Sequence, residues 1–105
     1  GFVLGDRFGR SCESRYVELA AIHFRMHGHL VRANHPYSGG YILERHGEPA
    51  RNIHAFQLEV DRALYLDEKL CEPVAAAQSI ADMIRNCCLM LAEQLTGRDQ
   101  LEAAE

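Results

Sequence analysis

Long apolar runs are absent from this sequence. The longest uncharged stretch of this kind, NCCLMLA at 86–92, is far shorter than the roughly 20 residues that a helix needs to cross a bilayer. A charged leader with a small-residue cleavage site is also absent, as are repeats and low-complexity tracts. These absences argue against a membrane protein and a secreted protein, and we expect a globular protein of the cytoplasm.

An excess of positive charge is missing too, and so is any C-x-x-C pair. The chain has 11 Lys and Arg against 15 Asp and Glu, and its formal net charge is −4. Nucleic-acid-binding proteins usually carry a basic stripe, so this class is not indicated. The four cysteines, at positions 12, 71, 87 and 88, lack the spacing of a zinc knuckle or a redox motif. A reducing, cytoplasmic compartment is the simpler interpretation.

The residues that are present predict one small α/β domain. A chain of 105 residues with 48% hydrophobic and 25% charged residues can bury a single core. We therefore predict a single α/β unit over residues 1–105.

A βαβ unit is predicted in the first third of the chain. FVLG at 2–5 has the composition of a short buried strand, and HLVRAN at 29–34 that of another. Between them, Ser11 or Ser14 can cap a helix that runs to His27, and the glycine after it suits the helix end. Two strands joined by a helix in so few residues are predicted to be parallel.

The rest of the chain predicts a loop, a strand and a helix. Residues 35–52 are punctuated by glycine and proline, which predicts a functional connection or a small hairpin with YILERHG as one arm. An alternating strand follows at 53–60. A final helix is predicted to begin at Pro73 and to stop near Gly97, leaving a frayed tail.

Two polar residues interrupt the strand at 53–60. Side chains alternate along a strand, so Gln57 and Glu59 share one face with apolar residues. A buried carboxylate is costly unless it is paired or hydrated. Three interpretations follow: the strand is an edge strand with one solvent-exposed face, or Glu59 pairs with Arg62, or both polar side chains line a cleft. In open α/β sheets such clefts lie at the carboxyl ends of strands, where Asn34 is also predicted.

Three linked motifs carry a resemblance to a known family. LGDRFGRSC at 4–12 and ANHPYSGGYILERHGEPARNIHAFQLEVDRALYLDE at 33–68 match the pattern LGDRFG-x-S, N-x-PY-x-GGY and H-x-x-Q-[IL]-E-x-x-R-x-LY-x-DE in order. On these residues the chain resembles the C-terminal part of the N-formylglutamate amidohydrolase family. Motifs linked in this way are more specific than one short motif alone.

The resemblance implies a fold, an activity and a cofactor. The implied fold is a three-layer α/β sheet with flanking helices, part of a phosphorylase/hydrolase-like (zinc carboxypeptidase-like) domain. The implied activity is metal-dependent hydrolysis of the amide of N-formyl-L-glutamate or a related N-acyl amino acid, as in histidine degradation. The family's metal, usually Zn²⁺, is bound by segments upstream of the LGDRFG motif. We therefore expect a C-terminal fragment without metal ligands of its own, and no hydrolysis from it alone.

Site residues follow from the same resemblance. Glu59 would be the general base and acid. Arg62 would bind a substrate carboxylate or instead hold Glu59 in place, and Arg7 would line the cleft or pair with Asp6. Glycines in the N-x-PY-x-GGY loop would let backbone N–H groups approach a ligand, although tight-turn geometry also explains them. The loop contributes Asn34, Tyr37, Gly39, Gly40 and Tyr41 as substrate-binding candidates.

Two further interpretations concern metal and partners. His23 and His27 lie four apart on the predicted helix and His29 follows, so a metal could bridge them, but surface histidines are the simpler explanation. A different class of function is a stand-alone, non-catalytic α/β interaction module, favoured by the apolar final helix. A homodimer through the exposed sheet edge or this helix is predicted for the chain.

Overall fold

The computed structural model describes residues 1–104, and the side chains of residues 1–97. The strands are β1 (Phe2–Gly5), β2 (Val31–Ala33) and β3 (Gln57–Val60). The α-helices are α1 (Ser14–Met26), α2 (Tyr41–His46) and α3 (Ala76–Ala104). Short 3-10 turns cover Pro49–Arg51 and Arg62–Leu64.

The three strands form one mixed sheet in the order β2-β1-β3. β1 and β2 are parallel and flank α1, which confirms the predicted βαβ unit. β3 is antiparallel to β1, with Leu58 opposite Leu4 and Val60 opposite Phe2. Residues directly opposite each other point to the same face of a sheet. The apolar face of β3 therefore continues the buried face of β1.

One apolar core joins this face to the helices α1 and α3. Phe2 and Leu4 from the sheet are almost fully buried. The side chains that meet them come from both helices: Tyr16, Val17, Ala20, Phe24, Ile80, Met83 and Cys87. The chain is thus a small α/β unit with a three-stranded mixed sheet and flanking helices, as predicted, and α1 and α3 pack on this face of the sheet. Residues 1–104 contain no helix that is both long and apolar enough to span a membrane.

The start of α1 differs from the prediction. Neither Ser11 nor Ser14 caps it, because the N-cap residue is Glu13 and its side chain makes no capping bond. The backbone N–H of Glu13 donates instead to Nδ1 of His54, at 3.0 Å. Nε2 of His54 lies 2.8 Å from Oδ1 of Asn52. His54, 41 positions along the chain from Glu13, thus accepts a hydrogen bond from a backbone N–H at the start of α1.

The end of α1 confirms the role of Gly28. This residue has φ +85°, a conformation that glycine adopts without a Cβ penalty. Its N–H donates to Arg25 O at 2.9 Å, and the N–H of His29 donates to Phe24 O at 3.2 Å. These two bonds form a Schellman motif, which satisfies carbonyls that the helix end leaves unpaired.

Four later features differ from the prediction. YILERH forms helix α2, not a hairpin arm. β3 begins at Gln57, because Ile53 bridges to Glu48 outside the sheet. The last helix begins three residues after Pro73, because that residue bridges to Leu66 and keeps the chain extended. The helix also continues beyond Gly97, so the predicted stop is wrong. The side chains of the predicted frayed tail, and residue 105, lie outside the described residues.

Candidate functional site

The second face of the sheet carries the polar side chains. Val3, on the central strand β1, is paired with Glu59 on β3 at one side and with Arg32 on β2 at the other. All three side chains therefore point away from the core, which confirms the predicted facing of Glu59. Two inter-strand spacings separate Glu59 from Arg32, a distance of about 10 Å between their backbones.

An open depression of about 520 Å³ lies over this face. Its lining includes Val3, Arg32, Tyr37, Glu59 and Arg62. Three of the residues predicted from sequence, on the loop after β2, on β3 and on the turn after it, thus meet in one concavity. A depression therefore lies beside Glu59, on the solvent-exposed face of an edge strand, but not where the cleft was predicted. Gly1, Phe2 and Leu30 in its lining place it at the amino ends of β1 and β2. Asn34, at the carboxyl end of β2, and Gln57 are not among the lining residues.

The third interpretation, an ion pair between Glu59 and Arg62, is wrong within the described residues. The ion pairs found there join the Gly1 amino group to Asp61, at 3.6 Å, and Arg51 to Glu48, at 3.4 Å. The Glu59 side chain is exposed. Its carboxylate is consequently available to a molecule in the depression.

The turn after β1 is held by Asn34. Oδ1 of Asn34 accepts from the backbone N–H of Asp6 at 3.0 Å and of Phe8 at 3.3 Å, and Nδ2 donates to Oδ1 of Asp6 at 2.8 Å. Gly9 N–H donates to the same carboxylate oxygen, at 3.1 Å. Asp6 is only 5% exposed and forms no ion pair with Arg7 among the described residues. The interpretation that these two residues pair is therefore wrong, and the structure gives Asn34 a role in shaping the turn.

The glycine-rich loop crosses the sheet beside the depression. A Cβ on Gly5 would come within 2.8 Å of the backbone of Ser38, so the loop approaches β1 at a residue that must be glycine. Arg7 N–H donates to the Ser38 carbonyl at 2.8 Å and ties the two turns together. Gly5 pairs with Gln57, so the loop passes next to β3, one pleat from Glu59.

Gly39 and Gly40 differ in whether their backbone conformation and surroundings could accept a side chain. Gly39 has φ +115°, and a Cβ there would collide with the side chain of Leu43. Gly40 is the N-cap of α2, has φ −112° and leaves open space where a Cβ would be. Turn geometry and packing thus account for Gly39. Tyr41 starts α2, with most of its side chain exposed, and is not among the residues lining the depression.

The histidines do not gather into a metal site. Nε2 of His23 lies 2.9 Å from the carbonyl of Met83, and its ring packs against His27. The ring of His29 stacks on Phe2. Among the described residues, no group of three or more His, Cys, Asp or Glu side chains is arranged to hold a metal ion. These residues therefore do not fit a zinc site by themselves.

Sequence reasoning missed two residues of this region. Arg32 precedes the motif residues on β2 and reaches the depression only because β1 lies between β2 and β3. Gly5 lies within the LGDRFG motif, but its close approach to Ser38 involves a loop thirty residues away. The charged residue between two apolar ones in β2, VRA, could have indicated the face of Arg32, although not its neighbours.

Comparison with known proteins identifies relatives over most of the chain. The family model described as N-formylglutamate amidohydrolase matches residues 1–66. A curated N-formylglutamate deformylase of Pseudomonas aeruginosa is 32% identical over 95 residues, which cover 90% of this chain and 35% of that protein. One of Pseudomonas putida is 33% identical over 81 residues, or 76% of this chain and 30% of that protein.

A solved structure agrees with these matches. The crystal structure of N-formylglutamate amidohydrolase from Ralstonia eutropha JMP134 superposes with a TM-score of 0.84 at 33% identity, covering 90% of this chain and 34% of that one. The chain spans about a third of the length of the relatives that it matches. The resemblance seen in its linked motifs is confirmed, and the chain belongs to the N-formylglutamate amidohydrolase family.

Proposed function

We propose that this chain supplies part of the active site of an enzyme that hydrolyses the amide of N-formyl-L-glutamate or a related N-acyl amino acid. The observation that carries the proposal is the meeting of Glu59, Arg62 and Tyr37 around one depression on the polar face of the sheet. The names of the two Pseudomonas relatives support the reaction. A reducing cytoplasmic location and a place in histidine degradation belong to the same proposal.

Glu59 is the proposed general base and acid. Its carboxylate takes a proton from the water that attacks the formyl carbon, and returns it to the amide nitrogen as the carbon–nitrogen bond breaks. Formate and the free amino acid are the products. Exposure of the Glu59 side chain to the depression supports this role, since proton transfer requires contact with both water and substrate.

Arg62 and the loop after β2 are the proposed substrate-binding elements. Arg62 follows Glu59 by three residues and lines the same depression, so its guanidinium can bind a carboxylate of the substrate. Tyr37, on the loop after β2, also lines the depression. Asn34 and Arg7 are proposed to act indirectly, because their hydrogen bonds hold the turn after β1 and the loop after β2.

A divalent metal, Zn²⁺, remains part of the proposal through the resemblance to the family. Such an ion polarises a carbonyl and activates water. The described residues do not assemble a site for it, so its ligands are proposed to lie outside this chain. Metal analysis of the intact protein and of the 105-residue chain tests this: the proposal requires zinc in the first and none in the second.

Replacing Glu59 tests the proposed function. In the intact protein that contains this chain, we expect Glu59→Gln to lower kcat for N-formyl-L-glutamate by about 10²- to 10⁴-fold, the usual contribution of a positioned acid–base group. Formate release is the measurement. The exposed side chain of Glu59 makes no ion pair among the described residues, so the unfolding midpoint should stay close to that of the wild type.

Glu93→Gln is the matched control. It removes an exposed carboxylate from α3, outside the depression, and should leave kcat unchanged. Full activity in Glu59→Gln would remove this residue from the mechanism.

The alternative function is a non-catalytic interaction module. Exposed apolar side chains favour it, since such side chains are common at protein–protein contacts. Met26, at the end of α1, and Leu30, just before β2, are 82% and 81% exposed. If the intact protein associates through these apolar side chains but releases no acid from any N-acyl amino acid, the alternative would be supported.

A further inference from the structure

His54 joins the segment before β3 to the start of α1. Its side chain is half-buried, and its ring lies tilted against the ring of Tyr16, with 4.6 Å between the ring centroids. Nδ1 accepts from the backbone N–H of Glu13 at 3.0 Å, and Nε2 lies 2.8 Å from Oδ1 of Asn52. Both ring nitrogens therefore contact groups of the chain, one at the start of α1 and one in the turn that precedes β3.

These two contacts define which nitrogen of the ring carries the hydrogen. A backbone N–H can only donate, so Nδ1 of His54 must be without a hydrogen. A neutral imidazole then carries its hydrogen on Nε2, and that N–H points to an amide oxygen that can accept it. Neither the opposite tautomer nor the cation can make both bonds.

The backbone next to His54 is anchored as well. The N–H of Ala55 donates to the carbonyl of Ser11 at 2.8 Å, and the N–H of Ser11 donates to the carbonyl of Asp6 at 3.1 Å. The segment at His54 is thus tied to the start of α1 and, through Ser11, to the turn after β1. These bonds lie just ahead of Gln57, where β3 begins.

An anchor at this place matters because β3 is a short strand. It has four residues, and within the described residues it pairs with β1 alone. A slip of one residue would turn Glu59 to the opposite face of the sheet. An anchor just ahead of the strand opposes such a slip, and also smaller displacements of β3 along β1.

We propose that His54 is a positioning residue for Glu59: its Nε2–H tautomer holds the approach to β3 against α1 and so fixes where the proposed base lies; this rests on the proposed function. His54 is not among the residues lining the depression, so it acts through the backbone and does not contact the substrate. Its loss should therefore affect the rate of the chemical step more than substrate binding. A displacement of about 1 Å at a reacting group can lower a rate about 10²-fold.

Two amide substitutions on the intact protein separate the roles of the two ring nitrogens. In His54→Asn the side-chain oxygen can take the position of Nδ1 and accept from Glu13 N–H, whereas in His54→Gln the amide reaches the position of Nε2 and this acceptor is lost. With N-formyl-L-glutamate, we expect His54→Gln to lower kcat about 10- to 100-fold and to change KM less than about threefold. His54→Asn should retain most of kcat. His27→Asn, which changes an exposed histidine at the other end of α1, should alter neither constant.

A double substitution distinguishes positioning of Glu59 from a general loss of structure. In Glu59→Gln protein, adding His54→Gln should lower the remaining kcat less than about threefold, because no carboxylate is left to misplace. An equal loss in both backgrounds, or a wild-type kcat in His54→Gln, would overturn the role of His54 while the wild type remains active. A wild type that releases no formate would overturn the proposed function itself, and the positioning role with it.

Nitrogen NMR of the intact protein, labelled with ¹⁵N-histidine, tests the tautomer without turnover. The signals of His54 are identified by their loss in His54→Asn. We expect a hydrogen on Nε2 and none on Nδ1. A His54 ring that carries its hydrogen on Nδ1 would overturn the inference, whatever the activity of the protein.

Discussion

At the scale of single residues, small side chains decide where the loops of the site can pass. Gly5 allows Ser38 to lie against β1, and Gly47 likewise allows the chain to pass within 2.6 Å of Ser11 at the position a Cβ would take. Asn34 contributes an amide that bonds two backbone groups and a carboxylate at once. These close contacts between backbone segments shape the polar face of the sheet, and Arg32 and Glu59 give it its charges.

The adjacent glycines Gly39 and Gly40 offer a matched test of this shape. Gly39→Ala forces a Cβ into the side chain of Leu43 at a φ of +115°, and should lower the free energy of unfolding by about 1–3 kcal/mol. At Gly40 a Cβ would meet open space and φ is ordinary, so Gly40→Ala should change the free energy of unfolding by less than about 1 kcal/mol. Urea unfolding of both variants measures the difference, and equal stabilities would contradict the loop geometry.

At the scale of elements, the packing of α3 against α1 completes the core. Met83 and Cys87 from α3 are buried, and the carbonyl of Met83 bonds to His23 on α1. Arg15 on α1 donates to Gln94 on α3 at 3.0 Å. α3 is therefore tied to α1 by apolar and polar contacts along several turns.

The neighbouring cysteines of α3 report whether this packing persists in solution. Cys87 is buried, and burial raises its pKa to about 11, with a further contribution from Cys88, which is exposed. A shift from 9.0 to about 11 lowers the thiolate fraction near pH 8 by about 100-fold. With single-cysteine variants, we expect Cys88 to react with a thiol reagent at least that much faster than Cys87.

Cys12 and Cys71 provide the controls for this measurement. Burial, and then the charges of Asp6 and Glu13, raise the pKa of Cys12 to about 11, whereas Cys71 is exposed. Cys71 should react readily and Cys12 slowly in the native state. All four should react at similar rates in denaturant, and fast labelling of Cys87 without denaturant would show that α3 does not stay packed on α1.

At the scale of the whole molecule, the chain is more extended than a typical domain of its length. Its radius of gyration is 15.1 Å, against about 13 Å expected for a compact domain of this size. Both outer strands have a free edge within the described residues. Large apolar side chains are exposed beside β2 and on α3, among them Leu30 and Leu89.

The 105-residue chain is accordingly predicted to form a homodimer through the sheet edge or α3. Free strand edges and apolar patches favour association. Sedimentation should give about twice the monomer mass of 11.8 kDa. Leu30→Lys should restore the monomer if the sheet edge is used, and Leu89→Lys if α3 is used. A wild-type chain that sediments only as a monomer would contradict the prediction.

The sequence by itself determined the family, the βαβ unit and the facing of Glu59. Linked motifs identified the first, and the short spacing between two apolar segments predicted the second. Alternation along β3 placed Glu59 opposite the apolar residues that enter the core. Gly28 also marked the end of α1 correctly. These features depend on residues that are close in the chain, so local propensity and spacing suffice to predict them.

Only the tertiary structure decided how the site is assembled. His54 accepts a hydrogen bond from the start of α1, 41 positions along the chain, and Arg32 joins Glu59 because β1 separates their strands. YILERH became a helix whose Leu43 packs against Gly39, although its sequence also suited a hairpin arm. The hydrogen bond between His54 and Glu13, and the pairing of β2 and β3 with β1, join residues distant in the chain. Their free energy outweighs local preference, and no short window of sequence contains both partners.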